Sequence, residues 1–167
     1  MSDLDRIVKE LQEQLIHQAR EVYSEVVVEH WFNPRNLCAM DKPDGHARIK
    51  GPCGDTMEIF VRTDKEMIAE ASFLTNGCIT SIASGSMAVE SAVGKSLSEA
   101  RAISKGTILQ NLGGLPEGSQ HCALLAANTL RAALDDFLST GREPWKRLYR
   151  PRSDEEEADT SGRQPDR

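Results

Sequence analysis

The sequence has four cysteines, and the one in the most distinctive setting follows a turn. Cys78 comes directly after Asn76-Gly77, and a run of small residues with helical character begins behind it. A thiol at the N-terminus of a helix faces unpaired backbone N–H groups and the positive end of the helix dipole. We expect both to favour the thiolate, which is the form that binds metals and attacks sulfur.

Other residues with ligand chemistry can be argued onto the same end of the fold. Cys53 and Asp55 share a short loop with a glycine between them, and His121-Cys122 lies in the first turn of a predicted helix. Three thiolates with one oxygen or nitrogen ligand suit a tetrahedral zinc ion or part of an iron–sulfur cluster. No closely spaced Cys-x-x-Cys pair is present, and five candidate ligands exceed four coordination places. This pattern disfavours a purely structural zinc site and suits a site that loads and unloads.

Residue types and spacing alone leave three interpretations open. The cysteines could form a metal or cluster site, perform thiol redox chemistry, or be small buried side chains without a chemical role. Taken alone, His121 fits an ordinary residue near a helix start and Asp55 an ordinary turn residue. Cys38 stands among apolar neighbours with no second ligand at a short spacing. We therefore interpret Cys38 as a structural cysteine and not as a ligand.

Three short runs of alternating apolar and polar residues predict the strands that position these groups. They lie near residues 47–50, 57–62 and 67–73, and only short segments connect them. Short connections imply antiparallel neighbours, so we predict a three-stranded meander. The end of the third strand then lies at the same edge as the loop before the second strand. This topology brings Cys53 and Asp55 towards Cys78.

The remaining segments predict helices, which makes the fold class α+β. One long helix is predicted from Ser2 to about His30. Residues 1–20 form an N-terminal helical extension, whose apolar stripe suits packing on this domain, a mobile arm or an oligomer contact equally well. Short helices are predicted after Ser96 and Lys105, and a last long helix over about 120–139 closed by Gly141. The main domain is predicted to cover residues 21–149. An acidic tail at residues 150–167 is predicted to be disordered.

Composition excludes several classes of function. The chain has 167 residues, with 26 acidic against 20 basic side chains and a net charge of −6, so we expect no nucleic-acid partner. No apolar run approaches the roughly 20 residues that a membrane span needs. The start is acidic and polar, unlike a secretory signal. The lack of a secretory signal favours a cytoplasmic protein, as do the four cysteines, which we interpret as thiols or metal ligands.

The motifs above occur together in a known family. The chain resembles the U-type iron–sulfur cluster assembly scaffold proteins, whose domain also forms the N-terminal part of the nitrogen-fixation scaffold. The similarity covers about 115 residues, from near Tyr23 to Phe137. It is carried by the segments Tyr23-Ser-Glu-Val-Val-Val-Glu-His-Trp-Phe-Asn-Pro-Arg-Asn36, Gly51-Pro-Cys-Gly-Asp-Thr-Met57, Thr75-Asn-Gly-Cys-Ile-Thr-Ser-Ile-Ala-Ser-Gly-Ser86, Gly94-Lys95 and His121-Cys122. The resemblance implies a three-stranded antiparallel sheet packed against several helices, the SufE/NifU-like sandwich.

The resemblance also implies roles for the candidate residues. Cys53, Cys78 and Cys122 would hold the nascent cluster, Asp55 would keep it labile, and His121 would be an alternative fourth ligand. Cys122 would receive sulfane sulfur, as a persulfide, from a cysteine desulfurase. Iron(II) would enter, electron donors would reduce the persulfide, and a [2Fe–2S] cluster would form and pass to apo-acceptor proteins. The implied function is a non-catalytic scaffold.

Two departures and two alternatives accompany this resemblance. The loop Leu115-Pro-Glu-Gly-Ser119 stands where many bacterial scaffolds carry a Leu-Pro-Pro-Val-Lys signal for an Hsp70-type chaperone, which puts dependence on that chaperone in doubt. The acidic tail has no counterpart in the family pattern.

One alternative function is a zinc-binding sulfurtransferase that accepts sulfur from a cysteine desulfurase, and another is a structural zinc domain for partner binding. The short interval between Cys78 and Cys122 matches the compact scaffold type.

Overall fold

The computed structural model describes residues 2–142 of the chain. The predicted disordered tail at residues 150–167 lies outside the described residues. The elements, in chain order, are α1 (Asp3–Val22), α2 (Glu25–Phe32), β1 (Gly45–Lys50), β2 (Thr56–Asp64), β3 (Met67–Thr75), α3 (Ile79–Ala92), α4 (Leu97–Arg101), α5 (Lys105–Asn111), a 3₁₀ turn (Glu117–Ser119) and α6 (Gln120–Arg142).

The three strands form one antiparallel sheet in the order β1-β2-β3. Met57 of β2 lies opposite Ile49 of β1 and Thr75 of β3. The α+β class and the predicted meander are therefore confirmed. The end of β3 and the start of β2 meet at one edge of the sheet, as the short connections required.

One face of the sheet is covered by α3 and α6. Met57, Ile59 and Phe73 project from that face and are fully buried, as strand alternation predicts. Gly85 on α3 permits close packing, because a Cβ at this position would lie 2.5 Å from the Phe73 ring. The N-terminus of α3 is thereby held against the end of β3, where Cys78 stands.

The N-terminal helix is not continuous, and the prediction of one helix from Ser2 to about His30 is wrong. The chain leaves helical geometry at Tyr23 and Ser24, and Ser24 caps α2 by accepting a hydrogen bond from the Val27 N–H at 3.1 Å. The Ser24 hydroxyl also donates to the carbonyl of Leu112. The break is thus stabilised by a distant segment. At the other end, Gly141 does not close α6, which continues to Arg142.

Within residues 2–142, no helix combines the length and the apolar character that crossing a bilayer requires.

Candidate functional site

Side-chain hydrogen bonds tie the turn after β3 to the start of β2. The Thr56 N–H donates to Asn76 Oδ1 at 2.7 Å, and the Thr75 hydroxyl donates to the Thr56 carbonyl at 2.8 Å. Asp55 immediately precedes Thr56, and Cys78 follows Asn76 by two positions. These bonds therefore place the carboxylate and the thiol at the same corner of the sheet.

Cys53 lies in a compact turn that rests on α6. The Gly51 N–H donates to the Asp55 carbonyl at 2.7 Å, and Gly54 has a φ of +91°, a conformation that favours glycine. A Cβ on Gly51 would lie 3.1 Å from Leu125, a residue one helical turn beyond Cys122. The turn thereby carries Cys53 towards the N-terminal end of α6, while its side chain stays exposed.

Two hydroxyl groups in the first turn of α3 connect the candidate ligands. Thr80 Oγ1 lies 3.2 Å from Cys78 Sγ and 3.3 Å from Cys122 Sγ. Ser81 Oγ donates to Asp55 Oδ2 at 2.6 Å and lies 3.4 Å from Cys122 Sγ. Cys122 is thus linked through one hydroxyl to the Cys78 thiol and through the other to the Asp55 carboxylate, and the three groups come from three separate segments.

Cys78 is the N-cap residue of α3 and has an exposed side chain. Partial burial acts to raise the pKa of the Cys78 thiol. The Thr80 hydroxyl and the backbone N–H groups of Thr80 and Ser81 outweigh it together and lower that pKa below its ordinary value. Local hydrogen bonds therefore favour the Cys78 thiolate, as expected for a thiol at a helix N-terminus.

Cys122 is in the opposite environment. Its side chain is only 1% exposed. Burial raises the pKa of the Cys122 thiol, the hydroxyls of Ser81 and Thr80 counteract that rise, and negative charge on Cys78 and Cys53 reinforces it. The influence of Cys53 on this pKa indicates that all three cysteines belong to one electrostatic neighbourhood. In this conformation Cys122 is protonated more readily and is shielded from external reagents.

His121 stands beside this group in the first turn of α6. Its Nε2 atom lies 3.6 Å from Cys122 Sγ, and its ring is half-buried. The ring nitrogen is thus placed at the rim of the site, next to the buried sulfur.

The candidate ligands are close to one another, but they do not form a closed coordination shell. Among the residues that the structure describes, no group of three or more His, Cys, Asp or Glu side chains is arranged to hold a metal ion. The hydroxyls of Thr80 and Ser81 lie between the ligands. For these side chains to share one ion, the hydroxyls would have to be displaced and the thiolates drawn together.

Cys38 does not belong to this corner of the sheet. Leu37 forms a bridge with Phe73, so the loop after α2 runs along the β3 edge, and Cys38 lines a cleft of about 520 Å³ with Arg62 and Glu70. Its side chain is exposed. An exposed thiol contributes nothing to a core, so the interpretation of Cys38 as a structural cysteine is wrong, whereas its exclusion from the ligand set stays a prediction.

Sequence reasoning missed the roles of Thr80 and Ser81. Both were visible as hydroxyl residues two and three positions after a predicted N-cap. Side chains in the first turn of a helix point back towards its N-terminus, so hydroxyls at these positions can reach an N-cap thiol. Their second contacts, with Cys122 and Asp55, depend on the tertiary fold.

Comparison with known proteins gives one consistent family. The family model described as "NifU-like N terminal domain" matches residues 22–143. The iron-sulfur cluster assembly scaffold protein IscU 1 of Archaeoglobus fulgidus is 40% identical over 117 residues, which cover 70% of this chain and 76% of the relative. The scaffold protein IscU of Escherichia coli K12 is 40% identical over 122 residues, which cover 70% and 94%.

A solved structure shows the same fold at low sequence identity. The N-terminal part of a nitrogen-fixing NifU-like protein from Brucella abortus is 18% identical, with a TM-score of 0.58, and the match covers 71% of this chain and 95% of the other. At this identity the likeness supports the architecture alone.

Proposed function

Because the chain belongs to the NifU-like N-terminal domain family, we propose that it is a scaffold on which iron–sulfur clusters are assembled. The curated relatives that share about 40% of its residues are named for this function. The cluster is cargo, built on the scaffold and passed to other proteins. We place this activity in the cytoplasm.

The observation that carries this proposal is the linked set of ligands at the corner of the sheet. Cys122 contacts the hydroxyls of both Thr80 and Ser81, Cys78 contacts the first of them and Asp55 the second. Cys53 lies on the adjoining turn. Thiolates are the ligands that cluster iron prefers. The open arrangement of the set agrees with a cargo that must arrive in parts and leave as a whole.

We assign the ligands by their chemistry. Cys53, Cys78 and Cys122 supply three thiolates for a [2Fe–2S] cluster, and Asp55 supplies an oxygen in the fourth place. A carboxylate is a harder ligand than a thiolate and a poorer match for cluster iron, which makes the assembled cluster easier to release. His121, at the rim, is the alternative fourth ligand.

Sulfur enters as a persulfide on Cys122. The Cys122 thiolate attacks the outer sulfur of a persulfide on a cysteine desulfurase, a new S–S bond forms, and the desulfurase thiolate leaves. Two electrons from an electron donor then reduce the persulfide to sulfide while iron(II) is bound. Since Cys122 is buried and its pKa is raised, this transfer requires the first turn of α6 to move away from Thr80 and Ser81.

Anaerobic reconstitution tests the proposal. The full chain is incubated with iron(II), cysteine and a cysteine desulfurase, and the cluster is followed by visible absorption with iron and sulfide analysis. We expect a [2Fe–2S] chromophore in the wild-type protein and its loss in Cys53→Ser, Cys78→Ser and Cys122→Ser. Cys38→Ser is the matched control and should retain the chromophore.

Two results would contradict the assignment. A wild-type protein that binds no iron and forms no chromophore refutes the scaffold function. A protein that instead retains zinc and strongly stimulates desulfurase turnover is a zinc-dependent sulfur acceptor. Zinc in an isolated preparation does not by itself decide between these functions, because the same thiolates bind zinc.

A further inference from the structure

The helix α1 carries large apolar side chains that stay exposed. Only Ala19 of this helix is buried, and α1 contacts the rest of residues 2–142 mainly through α2. The exposed apolar residues, between 44% and 69% accessible, are Leu4, Ile7, Val8, Leu11, Leu15 and Val22. Almost all of α1 precedes residue 22, where the family match begins. The function proposed above therefore leaves this surface unexplained.

The spacing of these residues identifies the kind of partner that fits them. Positions 4, 8, 11, 15, 18 and 22 alternate steps of four and three residues, which is the a/d pattern of a coiled-coil seam. We call these six positions the seam: Leu4, Val8, Leu11, Leu15, Gln18 and Val22. Such a seam packs its side chains into holes on a facing helix that has the same repeat. The partner should therefore be an α-helix with the same heptad pattern.

We propose that α1 pairs with α1 of a second copy of this chain. A second copy necessarily supplies the matching repeat. The middle of the seam is flanked by Gln12 and Gln14, which carry no charge, so identical helices approach without like-charge repulsion. The ion pairs of the helix lie on its other face, for example between Lys9 and Glu13 at 4.0 Å.

The charge of α1 argues against a lipid surface as the partner of the seam. Helices that lie on anionic membranes carry an excess of lysine and arginine on their polar face. In α1 the acidic residues outnumber the basic ones. The acidic residues are Asp3, Asp5, Glu10, Glu13 and Glu21, and the basic ones are Arg6, Lys9 and Arg20.

The length of the seam sets the strength of the pairing. A helix of 20 residues is about 30 Å long. Two such helices bury on the order of 1,000 Å² in total, near the lower limit for a specific interface. Gln18 is a polar seam residue, which fixes register at the expense of stability. We therefore expect a reversible dimer with a dissociation constant in the micromolar range.

Sedimentation equilibrium of the full chain, from low to high micromolar concentration, tests the proposal. The wild-type chain should change from monomer to dimer with concentration, whereas Leu11→Glu should stay monomeric because it places a charge in the seam. His17→Glu adds a charge to the same helix on its solvated face, where the His17 side chain is 79% exposed, and should still dimerise. Circular dichroism confirms that each variant is folded.

Mixed variants test the helix pairing itself. Opposite an antiparallel neighbour, Leu11 meets Leu15, and opposite a parallel neighbour it meets Leu11. Dimers from a mixture of Leu11→Glu with Leu15→Lys, or of Leu11→Glu with Leu11→Lys, support the pairing and give its direction. A wild-type chain that is monomeric throughout, or a dimer that Leu11→Glu leaves intact, overturns the proposal. Binding of a monomer to phosphatidylglycerol vesicles, abolished by Leu11→Glu, also overturns it, because the seam would then serve a lipid surface.

Discussion

Replacing Ser81 with alanine tests how the first turn of α3 holds the candidate site together. The Ser81 hydroxyl donates to Asp55 Oδ2 at 2.6 Å and lies 3.4 Å from Cys122 Sγ. The hydroxyl is placed to donate to either group, and the carboxylate is the nearer and more negative acceptor. The substitution removes this link between the β1–β2 loop and α3 without changing the backbone.

The size of the expected stability loss follows from the kind of hydrogen bond and from its exposure to water. A hydrogen bond to a charged group contributes about 1.5–3 kcal/mol to the free energy of unfolding. Asp55 is only half-buried, so water replaces part of the lost bond, and alanine has a higher helix propensity than serine. We expect a net loss of about 1–2 kcal/mol. For a domain of this size, that loss lowers Tm by roughly 3–6 °C.

Thermal and urea unfolding of the apo-protein measure this loss, and Ser84→Ala is the matched control. Ser84 lies on the same helix and is fully buried, and its hydroxyl has no hydrogen-bond partner among the described residues. Removing an unpaired buried hydroxyl should leave stability unchanged or raise it by about 1 kcal/mol. Equal destabilisation by the two substitutions would refute the reasoning, since the loss would then come from helix packing and not from the bond to Asp55.

The same variant has a chemical readout at Cys122. Burial raises the pKa of the Cys122 thiol, and the Ser81 hydroxyl counteracts that rise. In Ser81→Ala the pKa should therefore rise further, and alkylation of Cys122 by iodoacetamide at neutral pH should be slower. Faster alkylation would mean that Ser81 mainly shields this sulfur.

Four further predictions concern the site and its support. Asp55→Ala should slow the transfer of a reconstituted cluster to an apo-acceptor several-fold, because the weak oxygen ligand is lost. Circular dichroism measures the transfer rate, and an unchanged rate would mean that Asp55 has no role in release. Gly77→Ala should lower the free energy of unfolding by about 1–3 kcal/mol, measured in urea, because its Cβ would lie 2.5 Å from both Asp55 Oδ2 and Ser81 Oγ; additivity with Ser81→Ala would contradict this shared cause. Gly85→Ala should lower the free energy of unfolding by a similar amount, because the added Cβ would lie too close to the Phe73 ring. A fall in Tm measures this loss. Burial outweighs the negative charge of Glu90 and lowers the pKa of His30. The stability that His30 contributes is therefore complete above pH 6.5 and declines below it, because the unfolded chain then takes up a proton more readily than the buried ring does. In His30→Gln this part of the pH dependence of the free energy of unfolding should vanish.

Local patterns were enough to predict much of the fold. Strand alternation and short connections predicted the antiparallel meander, and the structure confirms it. Ser96 begins the short helix predicted after it and forms a capping box with Glu99. These features depend on residues a few positions apart, whose side-chain directions follow directly from helix and strand geometry. The approach of Asp55 to Cys78 was also predictable, because it follows from the order of adjacent strands.

Other features depended on contacts that no local pattern contains. The break between α1 and α2 was missed because the hydrogen bond that stabilises it joins Ser24 to Leu112. Cys38 was misjudged because the exposure of a loop side chain depends on which face of the sheet the loop crosses.

The sequence by itself determined which groups are available for chemistry: three cysteines, an aspartate and a histidine, each beside a turn or a helix start. Only the tertiary structure decided how differently they behave, with Cys78 exposed and activated and Cys122 buried and protonated more readily. The physical reason is that hydrogen-bond donors near an N-cap are local in sequence, whereas burial is created by segments far away along the chain.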